Sequence, residues 1–463
     1  MIRLIDNIPA TIHELCLYLK KQGATAWLVG GCVRDLCLDI NPKDYDLEVY
    51  GLAIPKLEHC LKKLGHCQQV GKSFAVLKLS CQGMNIDLAL PRTEKKTGMG
   101  HRAFEVIADE NLALEEASQR RDFTMNAMMI NPLSAEFMDF HQGREDLEQG
   151  ILRHVSPAFA EDPLRVLRAM QFAARFKLTL HPSTAALCQA LLPEAASLSD
   201  ERIWSEWEKW ADAPYPSYGL KCLKDSSWWN LYPELQALEA CPQDPEWHPE
   251  GNVWIHTCYV SDEAAHIALR YGWQGKEKIC LIFAALCHDL GKPSTTTHDT
   301  DHIRSRGHSQ AGVEPMLSFC EKIAAPQWLS AHLAPLIKEH LCFHGASLSH
   351  KSVRRLAVRL EPSNIEIWEA LTEADLSGRP PLKKSRPAVA WLQMAQELQF
   401  AKNKPAMMIT GKVLIAHGIA SGPSMGVILR DAYEAQLDGC FENETEAAQW
   451  LKQDLKNRNQ DQT

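Results

Sequence analysis

The sequence predicts an α+β head, in which a small mixed sheet packs with helices, followed by an all-α neck and body and an all-α C-terminal half. Short apolar or alternating runs, which are typical of strands, lie mainly in roughly the first 90 residues. Beyond Asn131-Pro132 the apolar residues recur at helical spacing instead. Eleven of the 19 histidines lie between His248 and His350, which marks a separate histidine-rich segment. The expected domains are residues 1–140, 141–240, 250–380 and 381–463.

Composition predicts an ordinary globular protein of several domains. The chain has 463 residues, of which 45% are hydrophobic and 23% charged, and its net charge of −9 neither indicates nor excludes nucleic-acid binding. We expect no signal peptide, because a charge lies within the first apolar residues and no apolar core follows them. We also expect no membrane span, because no apolar run approaches the roughly 20 residues that a bilayer requires. The fifteen cysteines form no Cys-x-x-Cys motif, which favours reduced thiols in the cytoplasm over a zinc ribbon.

The head begins with an apolar strand, a pair of glycines and a short helix. The strand covers residues 26–29, the chain turns at Gly30-Gly31, and the helix starts near Val33. Glycines let the backbone approach a ligand closely, and the first N–H groups of a helix attract phosphate. Arg34 follows directly and can meet phosphate oxygens with its forked guanidinium. The segment therefore predicts a phosphate-binding turn.

An alternating strand follows, and it carries Asp44 and Asp46. Side chains at positions i and i+2 of a strand share one face, so the two carboxylates can hold the same metal ions. Magnesium held by one or two carboxylates and by substrate phosphates is the usual arrangement for nucleotidyl transfer. A lone Asp-x-Asp is more often a solvated turn, but the order of strand, Gly-Gly, helix and Asp-x-Asp strand favours the metal site. Asp87, on a later strand, is either a third carboxylate beside this pair or a partner of Arg92.

Apolar spacing and turn residues predict the other elements of the first 240 residues. Helices are expected at residues 11–21, 56–64, 162–174, 185–192, 201–210 and 218–224, and strands at 74–79 and 84–90. Residues 91–105 are polar, contain glycine and lack periodicity, so we expect a mobile loop there. A stretch rich in Pro, Glu and Trp at 241–251 predicts a hinge before the histidine-rich domain.

A second group of charged residues lies in the predicted helix at 162–174. Asp162 and Arg165 are three residues apart, which places them side by side on one helix face. A carboxylate acceptor beside a guanidinium donor can recognise cytosine or adenine, because both bases offer an amino group, whereas guanine and uracil present a carbonyl oxygen. An ion pair between the two side chains on a solvated helix is the alternative, and the spacing alone does not decide between them.

Four motifs in this order resemble those of bacterial class II tRNA nucleotidyltransferases, the CCA-adding enzymes, over about residues 24–380. They are Gly30-Gly31-Cys32-Val33-Arg34-Asp35, Asp44-Tyr45-Asp46, Arg121-Asp122-Phe123-Thr124-Met125-Asn126-Ala127 and Glu161-Asp162-x-x-Arg165-x-x-Arg168. Members of that family add C, C and A to the 3′ end of tRNA from CTP and ATP without a nucleic-acid template. The resemblance implies a nucleotidyltransferase head, tRNA as the macromolecular substrate and Mg²⁺ as the cofactor.

The resemblance also implies roles for individual residues. Asp44 and Asp46 would be catalytic and hold Mg²⁺, and Asp162 with Arg165 would recognise the base. Contacts to the nucleotide are implied for Gly31, Arg34, Arg121, Asp162, Arg165 and Arg168. One position departs from the family pattern, because Gln171 stands where many members have a further arginine. Glutamine can donate a hydrogen bond to phosphate but brings no charge.

A third group of residues resembles the HD phosphohydrolase superfamily. Its strongest signal is Leu286-Cys287-His288-Asp289-Leu290-Gly291-Lys292, preceded by His256 and followed by Asp375. In that superfamily His…His-Asp…Asp ligands hold one or two metals for phosphoester hydrolysis. The resemblance implies a transition metal such as Ni²⁺ or Mn²⁺ on His256, His288, Asp289 and Asp375, because imidazole and carboxylate ligands suit such ions. The substrate implied is a 2′,3′-cyclic phosphate or a 2′-phosphate.

Other histidines in this segment are less informative. His308 and His340 lie between the expected ligands in sequence, but Leu341 follows His340 where some relatives have an aspartate, which weakens the case for a two-metal site. We expect five of the others to be ordinary core or surface residues, namely His248, His266, His298, His302 and His344.

Several other functions remain open. A poly(A) polymerase shares the head, but that family carries a Gly-Arg-Arg-Phe type motif where this chain has Gly71-Lys72-Ser73-Phe74. An enzyme that adds only the terminal A is compatible with the same motifs, and one that adds only CC is less so, because such relatives lack the loop expected at 91–105. From another class, the chain could be an HD phosphodiesterase whose head only binds RNA, although its intact metal and base-recognition residues argue against that. No obligate protein partner is evident.

Overall fold

The computed structural model describes residues 7–70, 76–96, 104–298 and 302–460. The chain forms two compact units, Met1–Leu231 and Tyr232–Thr463. The division into four domains stays a prediction. The segment expected to be a hinge, at 241–251, lies within the second unit.

The first unit begins with alternating helices and strands and ends in helices. Its elements, in chain order, are α1 (Ala10–Lys21), β1 (Thr25–Val29), α2 (Gly31–Cys37), β2 (Tyr45–Tyr50), α3 (Ile54–Leu61), β3 (His66–Val70), β4 (Val76–Cys81), β5 (Met84–Ala89), β6 (Arg92–Lys96), β7 (Phe104–Ala108), α4 (Leu114–Gln119), β8 (Met129–Ile130), β9 (Phe137–Met138), α5 (Gly143–Glu148), β10 (Ile151–Leu152), α6 (Leu164–Phe176), β11 (Thr179–Leu180), α7 (Pro182–Ala190), α8 (Asp200–Ala211) and α9 (Pro216–Asp225).

A seven-stranded mixed sheet forms the head, in the order β3-β4-β5-β2-β1-β8-β9. The central strand β2 runs parallel to β5 and antiparallel to β1. On β2 the apolar Leu47 and Val49 are fully buried, and the alternate positions on the other face carry Asp46 and Glu48. The register places Asp46 directly opposite Asp87 on β5. The predicted α+β head is therefore confirmed, with Asp46 and Asp87 on its central strands. Asp44 lies one residue before β2 begins, so the prediction that this strand carries both aspartates is wrong for Asp44.

The loop expected at residues 91–105 is partly wrong. β6 and β7 pair as a separate antiparallel ribbon, with Arg92 opposite Ala108 and Lys96 opposite Phe104. The sequence lacks alternation there, but strand pairing depends on a backbone hydrogen-bond ladder that a partner strand completes. Residues 97–103, which include both glycines of the predicted loop, lie outside the described residues.

Three helices form the main packing layer of the body. α6 packs against α8 and α9, and its buried residues include Val166, Leu167 and Met170. The helix begins at Leu164 rather than at Asp162, because Pro163 favours a helix start and Asp162 has an extended backbone. The expectation that Asp162 lies on the helix face is therefore wrong.

The second unit is helical, as expected, with one added β-hairpin formed by β12 and β13. Its elements are α10 (Pro233–Gln236), α11 (Val253–Tyr271), α12 (Lys276–Cys287), α13 (Lys292–Thr295), β12 (Thr296–His298), β13 (Ile303–Ser305), α14 (His308–Ala311), α15 (Val313–Lys322), α16 (Gln327–Glu339), α17 (Cys342–Gly345), α18 (His350–Arg359), α19 (Ile365–Ser377), α20 (Val389–Glu397), α21 (Gly411–Ala416), α22 (Pro423–Asp438) and α23 (Glu444–Gln460).

The centre of the second unit is the apolar helix α12. Every residue from Ile279 to Cys287 is buried, against α11, α16 and α19. Because His288 and Asp289 directly follow this helix, they enter the interior of the fold. The last three helices pack around a core of their own that includes Leu414, Phe441 and Leu451.

Two expectations from composition can be compared with the fold. All fifteen cysteines are free thiols, and ten of them are buried. Within the described ranges, none of the helices combines the length and the apolar character that crossing a bilayer requires.

Candidate functional site

A cavity of about 660 Å³ in the first unit collects all eight residues that the motifs predict for the nucleotide and its metal. The side chains around it come from the glycine turn, β2, α6 and α8, and from the chain segments before α6. The lining residues are Gly30, Gly31, Arg34, Asp44, Asp46, Arg120, Arg121, Asp122, Asn126, Asp162, Leu164, Arg165, Arg168, Phe172, Arg175 and Arg202. Seven of them are arginines and four are aspartates, so the cavity is positive although the whole chain is negative.

Carboxylates cluster on one side of this cavity. Asp44 is exposed, Asp46 is half-buried, and Asp87 is the register partner of Asp46. Burial raises the pKa of Asp46, and the nearby Asp87 and Asp44 raise it further, whereas Arg121 acts in the opposite direction. Clustered carboxylate oxygens that repel one another are a donor set that suits a hard divalent cation. Asp87 also forms an ion pair with Lys78, at 3.5 Å.

The backbone conformation and the neighbours of Gly30 exclude other residue types at this turn. Its φ is +76°, and a Cβ there would lie 2.9 Å from Nη1 of Arg121 and 3.6 Å from Oδ2 of Asp46. Arg121 is fixed from behind, because its Nη2 donates to the buried carboxylate of Glu48 at 3.0 Å. Arg120 donates to the same carboxylate oxygen at 2.5 Å. Sequence reasoning missed Glu48, although it shares the strand face of Asp46.

Arg34 is a buried residue of the cavity wall. Its Nε and Nη2 donate to Asp35 at 2.9 and 2.6 Å, and its Nη1 donates to Asn126 at 2.7 Å. The guanidinium also stacks over Phe176, 4.3 Å from the ring centroid. These contacts hold the fork in one orientation at the cavity wall.

Arg168 is held by Asp122, which belongs to a different motif. Its Nη2 and Nε donate to Oδ2 of Asp122 at 2.6 and 2.9 Å. Burial alone would raise the pKa of Asp122, but Arg168 and the amide of Asn126 more than offset this and lower it to about 2. The two sequence motifs are therefore parts of one buried polar network.

Asp162 and Arg165 face the same cavity, but their side chains do not pair with each other in the described contacts. Asp162 accepts from the backbone N–H of Leu164 at 3.1 Å and from Nη2 of Arg202 at 2.6 Å. Arg165 donates from Nη1 to the carbonyl of Ala158 at 2.8 Å and from Nη2 to that of Arg120 at 2.9 Å. The alternative of a simple ion pair between the two therefore does not describe this structure.

Sequence reasoning missed three arginines of this wall, Arg120, Arg175 and Arg202. Arg175 follows Arg168 by seven residues on α6, with Phe172 between them, so helical spacing could have found it. Nothing in the sequence near Asp162 identifies Arg202, which comes from α8. Gln171 is buried within α6 and does not belong to the cavity wall.

A second cavity, of about 430 Å³, lies in the second unit. It is lined by polar residues from both ends of the unit's sequence and by a few apolar ones at the rim. The lining residues are Gln243, Asp244, Trp247, His248, Asp289, Lys292, Ile303, Ser305, His308, His340, Leu341, His344, Asp375 and Arg379.

Three histidines beside this cavity have a defined tautomer. The Nδ1 atoms of His288, His308 and His340 lie 2.8, 2.6 and 2.6 Å from backbone carbonyl oxygens. A carbonyl oxygen only accepts, so each Nδ1 carries a proton, and in the neutral imidazole each Nε2 keeps a lone pair. Metal-binding histidines are commonly oriented in this way.

These lone pairs point toward Asp289. Nε2 of His288 lies 3.2 Å and Nε2 of His308 3.3 Å from its carboxylate, and Nε2 of His256 lies 3.8 Å away. Nε2 of His308 is also 3.2 Å from Nε2 of His340. Burial and the neighbouring histidines lower the pKa of His340 to about 3, so it stays neutral. Two facing lone pairs repel unless a cation lies between them, and the donor set therefore fits a metal ion.

Asp289 belongs to two sets of three potential ligands. One contains His256 and His288, and the other contains His308 and His340. Asp375 lies beside the first set, with Oδ1 3.1 Å from Nε2 of His256. The absence of an aspartate after His340 thus does not remove the second set.

The predicted hinge supplies residues to this site that sequence reasoning missed. Glu250 has a fully buried carboxylate, 2.9 Å from Nδ1 of His248 and 2.8 Å from Nδ1 of His256. Burial raises the pKa of Glu250, but the two histidines outweigh it and lower the pKa to about 2. His248 and His344, expected to be ordinary residues, both line the cavity. The ionisable residues His248 and Glu250 inside a supposed linker were the available signal.

Two family descriptions match the chain. The Poly A polymerase head domain covers residues 26–153, and the HD domain covers residues 253–370. Among solved structures, a CCA-adding enzyme in an apo form superposes with a TM-score of 0.64 at 20% identity, covering 97% of each chain. The Bacillus stearothermophilus CCA-adding enzyme in complex with CTP gives a TM-score of 0.65 at 21% identity, covering 98% of this chain and 100% of that one. At this identity the superpositions show the fold.

Curated relatives are closer in sequence. The Multifunctional CCA protein of Nitrosococcus oceani is 37% identical over 401 residues, covering 85% of this chain and 93% of the relative. That of Xanthomonas campestris pv. campestris is also 37% identical, over 423 residues that cover 89% of this chain and 97% of the relative. With this identity over nearly the whole length of both chains, the chain belongs to the multifunctional CCA protein family.

Proposed function

We propose that the first unit adds CCA to the 3′ end of tRNA from CTP and ATP. The observation that carries this proposal is that one cavity holds all eight residues that four separate motifs predict for the nucleotide and its metal. Its positive wall suits a triphosphate and an RNA end, although the chain as a whole is acidic. This role in tRNA maturation, together with fifteen free thiols, favours the cytoplasm as its compartment.

The geometry supports a division of labour within the cavity. Asp44 and Asp46 would hold Mg²⁺, with Asp87 as a third carboxylate close by. Magnesium, when bound there, supplies positive charge to the reacting phosphate and to the tRNA 3′-hydroxyl. Arg121 and Arg34, each fixed by buried acceptors, would position the triphosphate with little loss of side-chain entropy.

Base choice is assigned to Asp162 and Arg165. The carboxylate only accepts and the guanidinium only donates, so together they match the amino edge of cytosine or adenine. In Arg165→Ala, we expect incorporation of CMP over UMP to become less selective by about 1–3 kcal/mol, or roughly five- to 150-fold, with a smaller effect on overall affinity. Single-nucleotide incorporation kinetics with CTP and UTP measure this ratio. Efficient UMP incorporation by the unchanged protein would refute the assignment.

The most direct test of the proposed reaction uses three tRNA substrates. The purified protein is incubated with tRNAs that end at the discriminator base, at C and at CC, with each nucleoside triphosphate separately. A CCA-adding enzyme extends the first two with CTP and the third with ATP. Extension of the third substrate alone would identify an enzyme that adds only A, and long A tails would identify a poly(A) polymerase.

We also infer that the second unit hydrolyses phosphoesters. His256, His288, Asp289 and Asp375 would hold a transition metal such as Ni²⁺ or Mn²⁺, because their imidazole and carboxylate donors suit such ions. A metal bound there activates water for attack on phosphorus. Two sets of ligands that share Asp289 support a two-metal arrangement. Arg379 and Lys292 would neutralise phosphate charge at the same wall.

The size of the second cavity favours a nucleotide over a small phosphoester. A volume of about 430 Å³ accommodates a nucleoside with its 2′,3′-cyclic phosphate or 2′-phosphate. Trp247 lies at its rim with 61% of its surface exposed. All thirteen tryptophans lie within the described residues, and Trp247 is the exposed one among them. An exposed indole beside such a cavity is suited to stack on a nucleobase.

The Trp247→Ala variant tests this subsite. We expect KM for a 2′,3′-cyclic nucleotide to rise about tenfold, because stacking on an aromatic side chain contributes about 1–3 kcal/mol per base. Hydrolysis of bis(p-nitrophenyl) phosphate, which has no base, serves as the reference substrate. Tyr259→Ala is the matched control, since Tyr259 is exposed in the same unit but does not line the cavity. Equal losses on both substrates would contradict a base subsite.

A further inference from the structure

Arg202 holds the carboxylate that the proposed function assigns to base recognition. Its Nη2 donates to Oδ2 of Asp162 at 2.6 Å, and both residues line the cavity. The other oxygen, Oδ1, accepts the N–H of Leu164 at 3.1 Å. Each carboxylate oxygen of Asp162 therefore has a fixed partner behind it, and the remaining lone pairs have defined directions.

Arg165 is held just as firmly, but by the backbone. Its two terminal nitrogens donate to the carbonyls of Ala158 and Arg120, so its orientation follows from the chain fold. Asp162 lies before the helix, in an extended backbone, and only one of its oxygens is held by the backbone. The orientation of Asp162 thus depends on a side chain from a distant part of the sequence, the helix α8.

We propose that Arg202 is a positioning residue for nucleotide selection. It orients the Asp162 carboxylate toward the amino group of cytosine or adenine. The proposal rests on the base-recognition role of Asp162. A carboxylate whose two oxygens are fixed by hydrogen bonds cannot rotate away from the carbonyl oxygen of uracil or guanine. The repulsion between these oxygens then lowers the affinity for UTP and GTP relative to CTP and ATP.

The test compares nucleotide choice in Arg202→Ala, Arg202→Lys and Lys209→Ala. Lys209 is the matched control, because it lies on the same helix and pairs with Glu206 outside the cavity wall. For Arg202→Ala we expect the ratio of kcat/KM for CTP over UTP to fall about tenfold or more, with most of the loss in KM. Arg202→Lys should restore part of the ratio, since lysine supplies the charge without the fork. Lys209→Ala should leave it unchanged.

A double variant shows whether Arg202 acts through Asp162. Combining Asp162→Asn with Arg202→Ala should lower selectivity no further than Asp162→Asn alone, because coupled residues are not additive. Equal losses for CTP and UTP in Arg202→Ala, or fully additive losses in the double variant, would overturn the proposal. If Asp162→Asn itself left selectivity unchanged, the base-recognition role would fail instead. Thermal unfolding of each variant identifies any that fail to fold.

Discussion

Asp46→Ala should lower the rate of nucleotide addition by about 10³-fold or more, with tRNA binding nearly unchanged. Removing a metal ligand takes away several kcal/mol of transition-state stabilisation, and each 1.4 kcal/mol is tenfold in rate. The same variant should unfold at an equal or higher temperature, because burial and the neighbouring Asp87 and Asp44 already disfavour the ionised carboxylate. Single-turnover incorporation of CMP and AMP, tRNA binding by fluorescence anisotropy and thermal unfolding measure these three effects.

Two further variants sharpen this experiment. Glu58→Gln changes a carboxylate on the surface helix α3, where it pairs with Lys62, and should have no effect on addition. Asp87→Asn decides the role left open for the third carboxylate, since a metal ligand there should also lower the rate strongly. Nucleotide addition at the normal rate by Asp46→Ala would show that the Asp-x-Asp strand is not the metal site.

Asp289→Asn should abolish phosphohydrolase activity and leave CCA addition intact. Asp289 is shared by both sets of potential ligands, so its loss disrupts either a one-metal or a two-metal site. Asparagine keeps the shape but removes the negative charge, and this weakens the binding of a divalent cation. We expect the rise in unfolding temperature that Ni²⁺ or Mn²⁺ causes to disappear, because only a ligand that binds the native state stabilises it. His288→Ala should behave in the same way.

The control for this centre is His266→Ala, which removes a solvent-exposed histidine of the same unit. It should retain both metal-dependent stabilisation and hydrolysis. Asp46→Ala should also hydrolyse normally, because its change lies in the first compact unit. If no divalent ion stimulated hydrolysis by the unchanged protein, the helical second unit would be better explained as a support for tRNA.

The residues that carry chemistry were largely predictable from sequence, because they lie in short motifs. Gly30, Asp46 and His288 each depend on neighbours within a few positions, and local spacing then indicates a turn, a strand face or a helix end. The α+β head and helical remainder followed from apolar periodicity in the same way, and the fold confirms them. The roles of these residues in nucleotide addition and hydrolysis stay predictions until the variants are measured.

Two predictions from local sequence patterns were wrong, one at the start of a helix and one in a strand that needs a partner. Asp162 was predicted to lie on a helix face, but the helix begins at Leu164, directly after Pro163. Residues 92–96 were expected in a loop, but a second strand completes their hydrogen bonds. Both outcomes depend on what lies next to the segment rather than on its own periodicity.

Only the tertiary structure decided which groups support the predicted ones. Arg202 reaches Asp162 from 40 positions away, Glu48 fixes Arg121 across 73 positions, and Glu250 lies beside His256 although it belongs to a supposed hinge. Such contacts leave little trace in a single sequence, because a buried ion pair needs proximity in space and not any fixed spacing along the chain. The order and spacing of the motifs therefore predicted the two chemistries, and packing decided which charged side chains hold the motif residues in place.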